Sequence, residues 1–274
     1  MFEEKPLLRR PLVMGILNCT PDSFSDGGLY SSLEDAIERL WSMFEEGADY
    51  VDIGGESTRP GASDIDPSLQ IARIIPVIET VVASLKEDQI LSVDTRSAVV
   101  AERALRAGVR IINDVDGGHS DPLLQTVAHF DAGIILTHKR GVPLDMQHNP
   151  KYQDVVADVL RDLLGKAEKA IHFGIKEEQI AIDPGIGFGK TIEHNVVLLK
   201  NLDRFVKTGF PVVLGTSRKS FLKTMTAEHV PKQLVGATCA TTALATGAGV
   251  RVFRVHDVKA NIQAAQVAYN LVTE

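Results

Sequence analysis

The sequence predicts an α/β fold, a single-domain (β/α)8 barrel of the TIM type over residues 1–274. Three observations predict it. Eight apolar runs of strand length alternate with longer helix-period segments, the runs end in polar residues, and the turn after the first run lacks the glycine fingerprint of a doubly wound sheet. The runs are 12–18, 50–54, 90–94, 109–114, 133–138, 179–183, 211–215 and 250–255. Being near-continuous Val, Ile and Leu, they read as strands buried on both faces, the condition of a parallel sheet covered by helices.

After the first run, Leu33, Ile37, Leu40, Trp41 and Phe44 recur at helical spacing, with Ser32-x-x-Asp35 as a capping box before them and Gly47 as a stop behind. Gly108 closes a helix carrying Val100, Ala104 and Leu105, and Val258, Ile262, Ala265 and Tyr269 share the face of the last one. A doubly wound sheet would bind its ligand through G-x-G-x-x-G after the first strand, where this chain has Asn18-Cys19-Thr20-Pro21-Asp22. Eight repeats therefore favour closure into a barrel.

Composition narrows the function. With 44% hydrophobic and 24% charged residues, the chain can build one sizeable core. A net charge of −7 argues against a general binder of nucleic acid or membrane surface, both anionic, so an anionic substrate needs a local basic site. No apolar signal core follows the charged first ten residues and no eighteen apolar residues run together, which points to a cytoplasmic protein. The two cysteines, Cys19 and Cys239, have no C-x-x-C spacing and fit a reducing compartment.

The runs end in Asn18, Asp94, Asn113, His138, Asp183, the stretch Ser217-Arg218-Lys219, and Arg254 with His256. In a barrel these ends converge on one mouth, where such folds place their chemistry. Arg59, Lys219, Arg254 and His256 then form a candidate anion site suited to a phosphorylated ligand, while Arg218 alone reads as a solvated loop charge. Asp94, Asn113 and Asp183 could read the donor and acceptor edge of a heterocycle. The stretch from Asp183 to Thr191, DPGIGFGKT, imitates a phosphate-binding loop but has Pro184 where G-x-x-x-x-G-K-[ST] needs glycine. Its glycines are expected to let the backbone pass close to a flat ligand, with Phe188 either flanking that ligand or filling the core.

Five segments carry a family resemblance. MGILNCTPDSFSDGG (14–28), DIGGESTRPG (52–61), SVDT (92–95) with IND (112–114), DPGIGFGK (183–190), and SRKS (217–220) with RVHD (254–257) together resemble the dihydropteroate synthases, with Cys19 where valine is usual. The resemblance implies a transferase of folate biosynthesis that joins a hydroxymethyl-dihydropterin pyrophosphate to p-aminobenzoate, a homodimer, and a target of sulfonamides. It implies that Asp94, Asn113, Asp183, Lys219 and Arg254 hold the pterin. Pyrophosphate would lie near Asn18, Arg59, Arg254 and His256, with Mg2+ coordinated through Asn18. Phe24, Thr58, Pro60, Phe188 and Ser220 would frame p-aminobenzoate, and Asp94, Lys219, Arg59 and Asp26 would be the catalytic set. One departure stands out. Thr137-His-Lys-Arg-Gly141 replaces the family's Met-His-Met-Gln-Gly, whose second methionine packs on the pterin, and Asp116 after Asn-Asp-Val is a lesser oddity. Two rivals share the pocket: a pterin-binding barrel that transfers a methyl group to a corrinoid, and a pterin-binding protein without turnover.

Overall fold

The eight runs form eight parallel strands, which a computed structural model describes together with residue 2 and residues 10–20, 32–56, 65–141 and 150–272 as a whole. They are β1 (Leu12–Asn18), β2 (Tyr50–Gly54), β3 (Ile90–Asp94), β4 (Ile111–Asp114), β5 (Gly133–Thr137), β6 (Ile180–Asp183), β7 (Val213–Leu214) and β8 (Val252–Val255). The ladder runs β6-β5-β4-β3-β2-β1-β8-β7. Its two ends meet through a single bridge between Ile182 and Val212, with the Ile182 N–H donating to the Pro211 carbonyl at 2.9 Å, and this closes the barrel.

Helices connect and cover the strands. They are α1 (Ser32–Glu45), α2 (Pro67–Val81), α3 (Ala98–Arg106), α4 (Asp121–His129) and α5 (Val155–His172) in the first half. The second half has α6 (Ile192–Lys200), α7 (Leu202–Val206), α8 (Ser220–Thr226), α9 (Val235–Gly247) and α10 (Val258–Val272). Side-chain oxygens start several of them: Asp154 accepts from the N–H groups of Val156 and Ala157, both at 3.0 Å, at the head of α5. Gly47 and Gly108 take φ of +100° and +105° after α1 and α3, as their stop role requires. Ser32, expected to cap α1, is instead its first residue.

Strand starts are later than the apolar runs suggest, for a local reason. The N–H groups of Val109 and Val250 are already used to close the preceding helices, donating to Ala104 and Ala245 at 3.1 Å each. Gln179 belongs to a 3-10 turn, and Pro211 has no N–H to give to a ladder, so β7 shrinks to two residues.

Alternation along each strand sorts residues into two cores. Val51, Ile53, Val93, Ile112, Ile134 and Leu136 pack outward against the helices. Leu12, Met14, Tyr50, Ile90, Ile111, Ile135, Ala181, Val213 and Val252 fill the barrel interior together with Phe2, whose ring meets Tyr50 edge-on at 6.3 Å. Two residues beyond that floor, six of the eight strands turn polar at the inward position, with Asp52, Ser92, Asn113, Thr137, Asp183 and Arg254. Among the described residues no helix is long and apolar enough to cross a membrane.

Candidate active site at the barrel mouth

Strand register sets the site. Asn18 lies opposite Gly54, Gly54 opposite Asp94, and Asp94 opposite Asn113, so three polar ends and one glycine share a level. Asp52 faces the same way two residues below Gly54 and is fully buried. Arg254, from β8, reaches across: its Nε donates to Asp52 Oδ2 at 2.7 Å and its Nη2 to Asp94 Oδ2 at 2.8 Å. Asn113 Nδ2 donates to the same Asp52 oxygen at 2.9 Å. Asp183 and Lys219 complete the cluster, because a Cβ added at Gly215 would lie 3.9 Å from Asp183 Oδ2, 3.9 Å from Lys219 Nζ and 4.0 Å from Arg254 Cβ. Gly215 therefore keeps open the space where these three meet. Asp94, Asn113, Asp183, Lys219 and Arg254 gather in one buried cluster around Asp52 and Gly215, with Arg254 set between carboxylates rather than out toward the opening.

Burial governs the charges here. It pushes the Asp94 carboxyl up to about 7 against the opposing pull of Arg254, and raises Asp183 against Lys219 and the Gly185 N–H. Burial likewise brings Lys219 down to about 8, with Asp183 resisting. Burial works against charge on Arg254 too, but Asp52 and Asp94 outweigh it and raise its affinity for its proton. Oδ1 of Asp52 and Oδ1 of Asp94 are buried with no hydrogen-bond partner among the described residues, which suits a ligand rich in N–H donors. A titration follows. Between the ordinary carboxyl value of 3.8 and about 7, folded Asp94 keeps a proton that the unfolded chain has released, so its contribution to stability falls as pH rises. Melts of the wild type and Asp94→Asn should therefore diverge between about pH 5 and 7, the wild type losing ground. Parallel curves would mean that Asp94 is ionised throughout.

The loop after β6 is built differently from what its glycines suggest. Gly185 (φ +67°) and Gly189 (φ +64°) press on the β5 loop: an added Cβ would lie 1.8 Å from the His138 carbonyl oxygen and 2.2 Å from that of Arg140. They admit another stretch of backbone, not a flat ligand. Lys190, fully buried, stitches the two loops, donating to His138 Nδ1 at 2.8 Å and to the Gly185 and Phe188 carbonyls at 2.9 and 3.0 Å. Burial lowers Lys190 well below the usual lysine range, and burial beside Lys190 takes His138 down to about 2, so His138 is a neutral acceptor rather than a proton carrier. Lys219 donates to the Ile186 carbonyl and stands 4.5 Å over the Phe188 ring, which makes Phe188 a platform for the lysine.

At the rim, Ser220 is the exposed first residue of α8, and His256 follows β8. Arg218, read from sequence as a solvated charge, is instead forked on Asp257, Nε to Oδ2 at 3.1 Å and Nη2 to Oδ1 at 2.6 Å, and holds a left-handed backbone at φ +60°. Cys19 is buried, and burial pushes its thiol up to about 12, an inert state. Phe24, Asp26, Thr58, Arg59 and Pro60 lie outside the described residues. Asp52 and Lys190 are the residues the sequence did not single out.

Comparison with known proteins places the chain in a family. The pterin binding enzyme family model matches residues 14–256. A dihydropteroate synthase of Synechocystis sp. is 43% identical over 261 residues, 95% of this chain and 90% of that one. The chain belongs to the dihydropteroate synthase family. Among solved structures, the Xanthomonas albilineans dihydropteroate synthase with 4-aminobenzoic acid superposes with a TM-score of 0.91 at 42% identity, over 97% of this chain and 95% of that one. The same enzyme in complex with 7,8-dihydropteroate gives 0.88 at 39% identity, with the same coverage.

The two departures from the synthase pattern explain each other. Lys139 Nζ meets Asp116 Oδ1 at 2.6 Å, so the charge that replaces an apolar methionine is neutralised by the other unusual residue. Arg140 lies 4.7 Å over the Tyr152 ring, away from a free-solvent role. Lys139→Met and Asp116→Asn should each weaken folding modestly and show a coupling of about 1 kcal/mol in a double-mutant cycle followed by urea unfolding. Lys139→Met should change pterin affinity less than about tenfold, roughly 1.4 kcal/mol, in calorimetry. A larger change would make Lys139 a ligand.

Proposed function

We propose that the protein condenses 6-hydroxymethyl-7,8-dihydropterin pyrophosphate with p-aminobenzoate, giving 7,8-dihydropteroate and pyrophosphate. The observation that carries this is the single cluster in which Asp94, Asn113, Asp183, Lys219 and Arg254 meet at the strand ends, an acid, amide and cation set suited to a pterin edge. Relatives solved with 4-aminobenzoic acid and with 7,8-dihydropteroate support the same pair of substrates.

The bond to be broken joins pyrophosphate to a methylene on an electron-rich dihydropterin, and the positive charge that develops can spread into the ring. Asp183 would accept from the pterin amide and amino hydrogens, and Lys219 would donate to its carbonyl. Asp94, once ionised, would offset the developing charge, with Arg254 balancing Asp52 and Asp94 beneath the departing anion. Arg59 and His256 would steady pyrophosphate, Asp26 the substrate assembly, and Phe24, Thr58, Pro60, Phe188 and Ser220 the p-aminobenzoate. The amine then attacks the methylene, and no covalent enzyme nucleophile is required.

Magnesium fits a donor set of this kind. Among the described residues no three His, Cys, Asp or Glu side chains gather to hold a metal, whereas Asn18 Oδ1 stands over the bare backbone of Gly54, 3.6 Å from where a Cβ would lie. One amide oxygen plus pyrophosphate oxygens and water is coordination that Mg2+ accepts, and the bound ion would neutralise charge on the leaving group. A homodimer is part of the same proposal, supported by exposed Leu244, Val267, Leu271 and Val272 on the adjoining α9 and α10, and sedimentation tests it. So is a cytoplasmic location, which the two free cysteines suit.

A pyrophosphate-release assay with both substrates and Mg2+ tests the reaction. Release that requires p-aminobenzoate supports it. Binding of the dihydropterin pyrophosphate without release would leave a non-catalytic pterin binder, and methyl transfer to a corrinoid without release would leave the methyltransferase.

A further inference from the structure

The chain turns sharply between β7 and α8. The Lys219 N–H donates to the Thr216 carbonyl at 3.2 Å, closing a four-residue turn whose third member is Arg218. At that place φ is +60°, where glycine or asparagine is the ordinary choice because a Cβ crowds the left-handed backbone. Of the three non-glycine residues with positive φ among the described ones, Asp131 precedes β5 and Ala227 follows α8, and Arg218 alone follows a strand end at the mouth.

Bonds from two directions hold a bulky residue in this conformation. The Arg218 guanidinium is forked on Asp257 after β8, and its main-chain N–H meets Thr238 Oγ1 of α9 at 3.4 Å. Thr216, at the start of the turn, shares a hydroxyl hydrogen bond of 2.7 Å with Thr241 of the same helix. The fork is bidentate and charge-assisted, and both side chains are less than a quarter exposed, which makes it a restraint able to offset a strained backbone.

What the turn sets is the direction of Lys219. From φ −74° and ψ 152°, Lys219 sends its ammonium to the Ile186 carbonyl and over the Phe188 ring of the β6 loop, beside Asp183. Moving Arg218 to the right-handed region would swing the peptide bond that it shares with Lys219, and the Cα–Cβ bond of Lys219 with it, away from that loop. Glycine at 218 would make the same turn without strain but would not be fixed in it, since glycine takes either hand. We infer that Arg218 is a positioning residue: its fork on Asp257 locks the left-handed turn that aims Lys219 across the join of β6 and β7 at the ligand site. That Lys219 meets a pterin there rests on the proposed synthase reaction, whereas the aiming of Lys219 by the fork does not.

Arg218→Gly removes the strain and the fork together, so the midpoint of thermal unfolding should stay within about 4 °C of the wild type. Calorimetry with 7,8-dihydropteroate reads affinity apart from folding, because a partly unfolded sample lowers the stoichiometry and leaves the dissociation constant alone. That constant should rise about tenfold in Arg218→Gly and about fivefold in Asp257→Asn, whose amide accepts only half of the fork. The double variant should be no worse than Arg218→Gly, since both changes open the same pair. Asp257→Asn carries the test if the glycine variant does not fold. Additive losses, or an unchanged dissociation constant in both single variants, overturn the inference. Crystal structures without ligand read the aiming directly: in the variants Lys219 should leave the Ile186 carbonyl and the Phe188 ring, and a Lys219 that stays in place overturns the inference as well. A wild type that does not bind 7,8-dihydropteroate, with Lys219 displaced in the variants, would remove the synthase reading and leave Arg218 in its role.

Discussion

Replacing Asp52 by alanine should destabilise the fold by about 3–5 kcal/mol in urea unfolding, one of the two largest single-residue losses we anticipate. Asp52 has no solvent exposure, and one of its oxygens receives both Arg254 Nε and Asn113 Nδ2. Its removal leaves a mostly buried guanidinium with Asp94 as its remaining carboxylate and strips Asn113 of its acceptor, so two groups lose their compensation at once. Because those groups are the proposed pterin ligands, affinity should fall along with stability. A loss below about 1 kcal/mol would mean that Asp94 alone can hold Arg254.

Lys190→Met is the second. Methionine fills much of the same space, so the effect isolates the ammonium, which donates to His138 Nδ1 and to the Gly185 and Phe188 carbonyls inside the protein. Each buried acceptor left without a donor costs about 1–3 kcal/mol, and a total of about 3–5 kcal/mol follows when some of them relax. The loop that presents Ile186 and Phe188 to Lys219 should loosen as well, raising the pterin dissociation constant in calorimetry more than tenfold, about 1.4 kcal/mol. An unchanged midpoint together with unchanged affinity would show that the glycine contacts suffice to dock the loop.

What the sequence made legible follows from where information is stored. Strands covered on both faces read as unbroken apolar runs, and Asp94, Asn113, Asp183 and Arg254 stood out because each ends such a run. Asp52 was passed over because it sits inside one. A lone carboxylate in the middle of a doubly covered strand was itself the signal, since burial of that charge demands a partner. Arg218 was misread because its partner Asp257 is thirty-nine positions away, and charge separation along the chain says nothing of separation in space. The purpose of Gly185 and Gly189 was hidden for a related reason: what they admit is the backbone of another loop, and backbone leaves no mark in a sequence. Strand starts at Val109 and Val250 failed through competition, because apolar character does not reveal that an N–H is already spent on a helix end.

The closure of the barrel between β6 and β7 is its thinnest join. Where β1 and β2 match residue for residue from Met14 to Asn18, β6 and β7 share the one bridge at Ile182 and Val212. Asp183 ends the strand on one side of that join, and Lys219 hangs from the loop on the other. Any slackening of the seam is therefore felt first as a change in the gap between those two side chains, so the grip on one end of the ligand is set by the least tightly sewn edge of the wall.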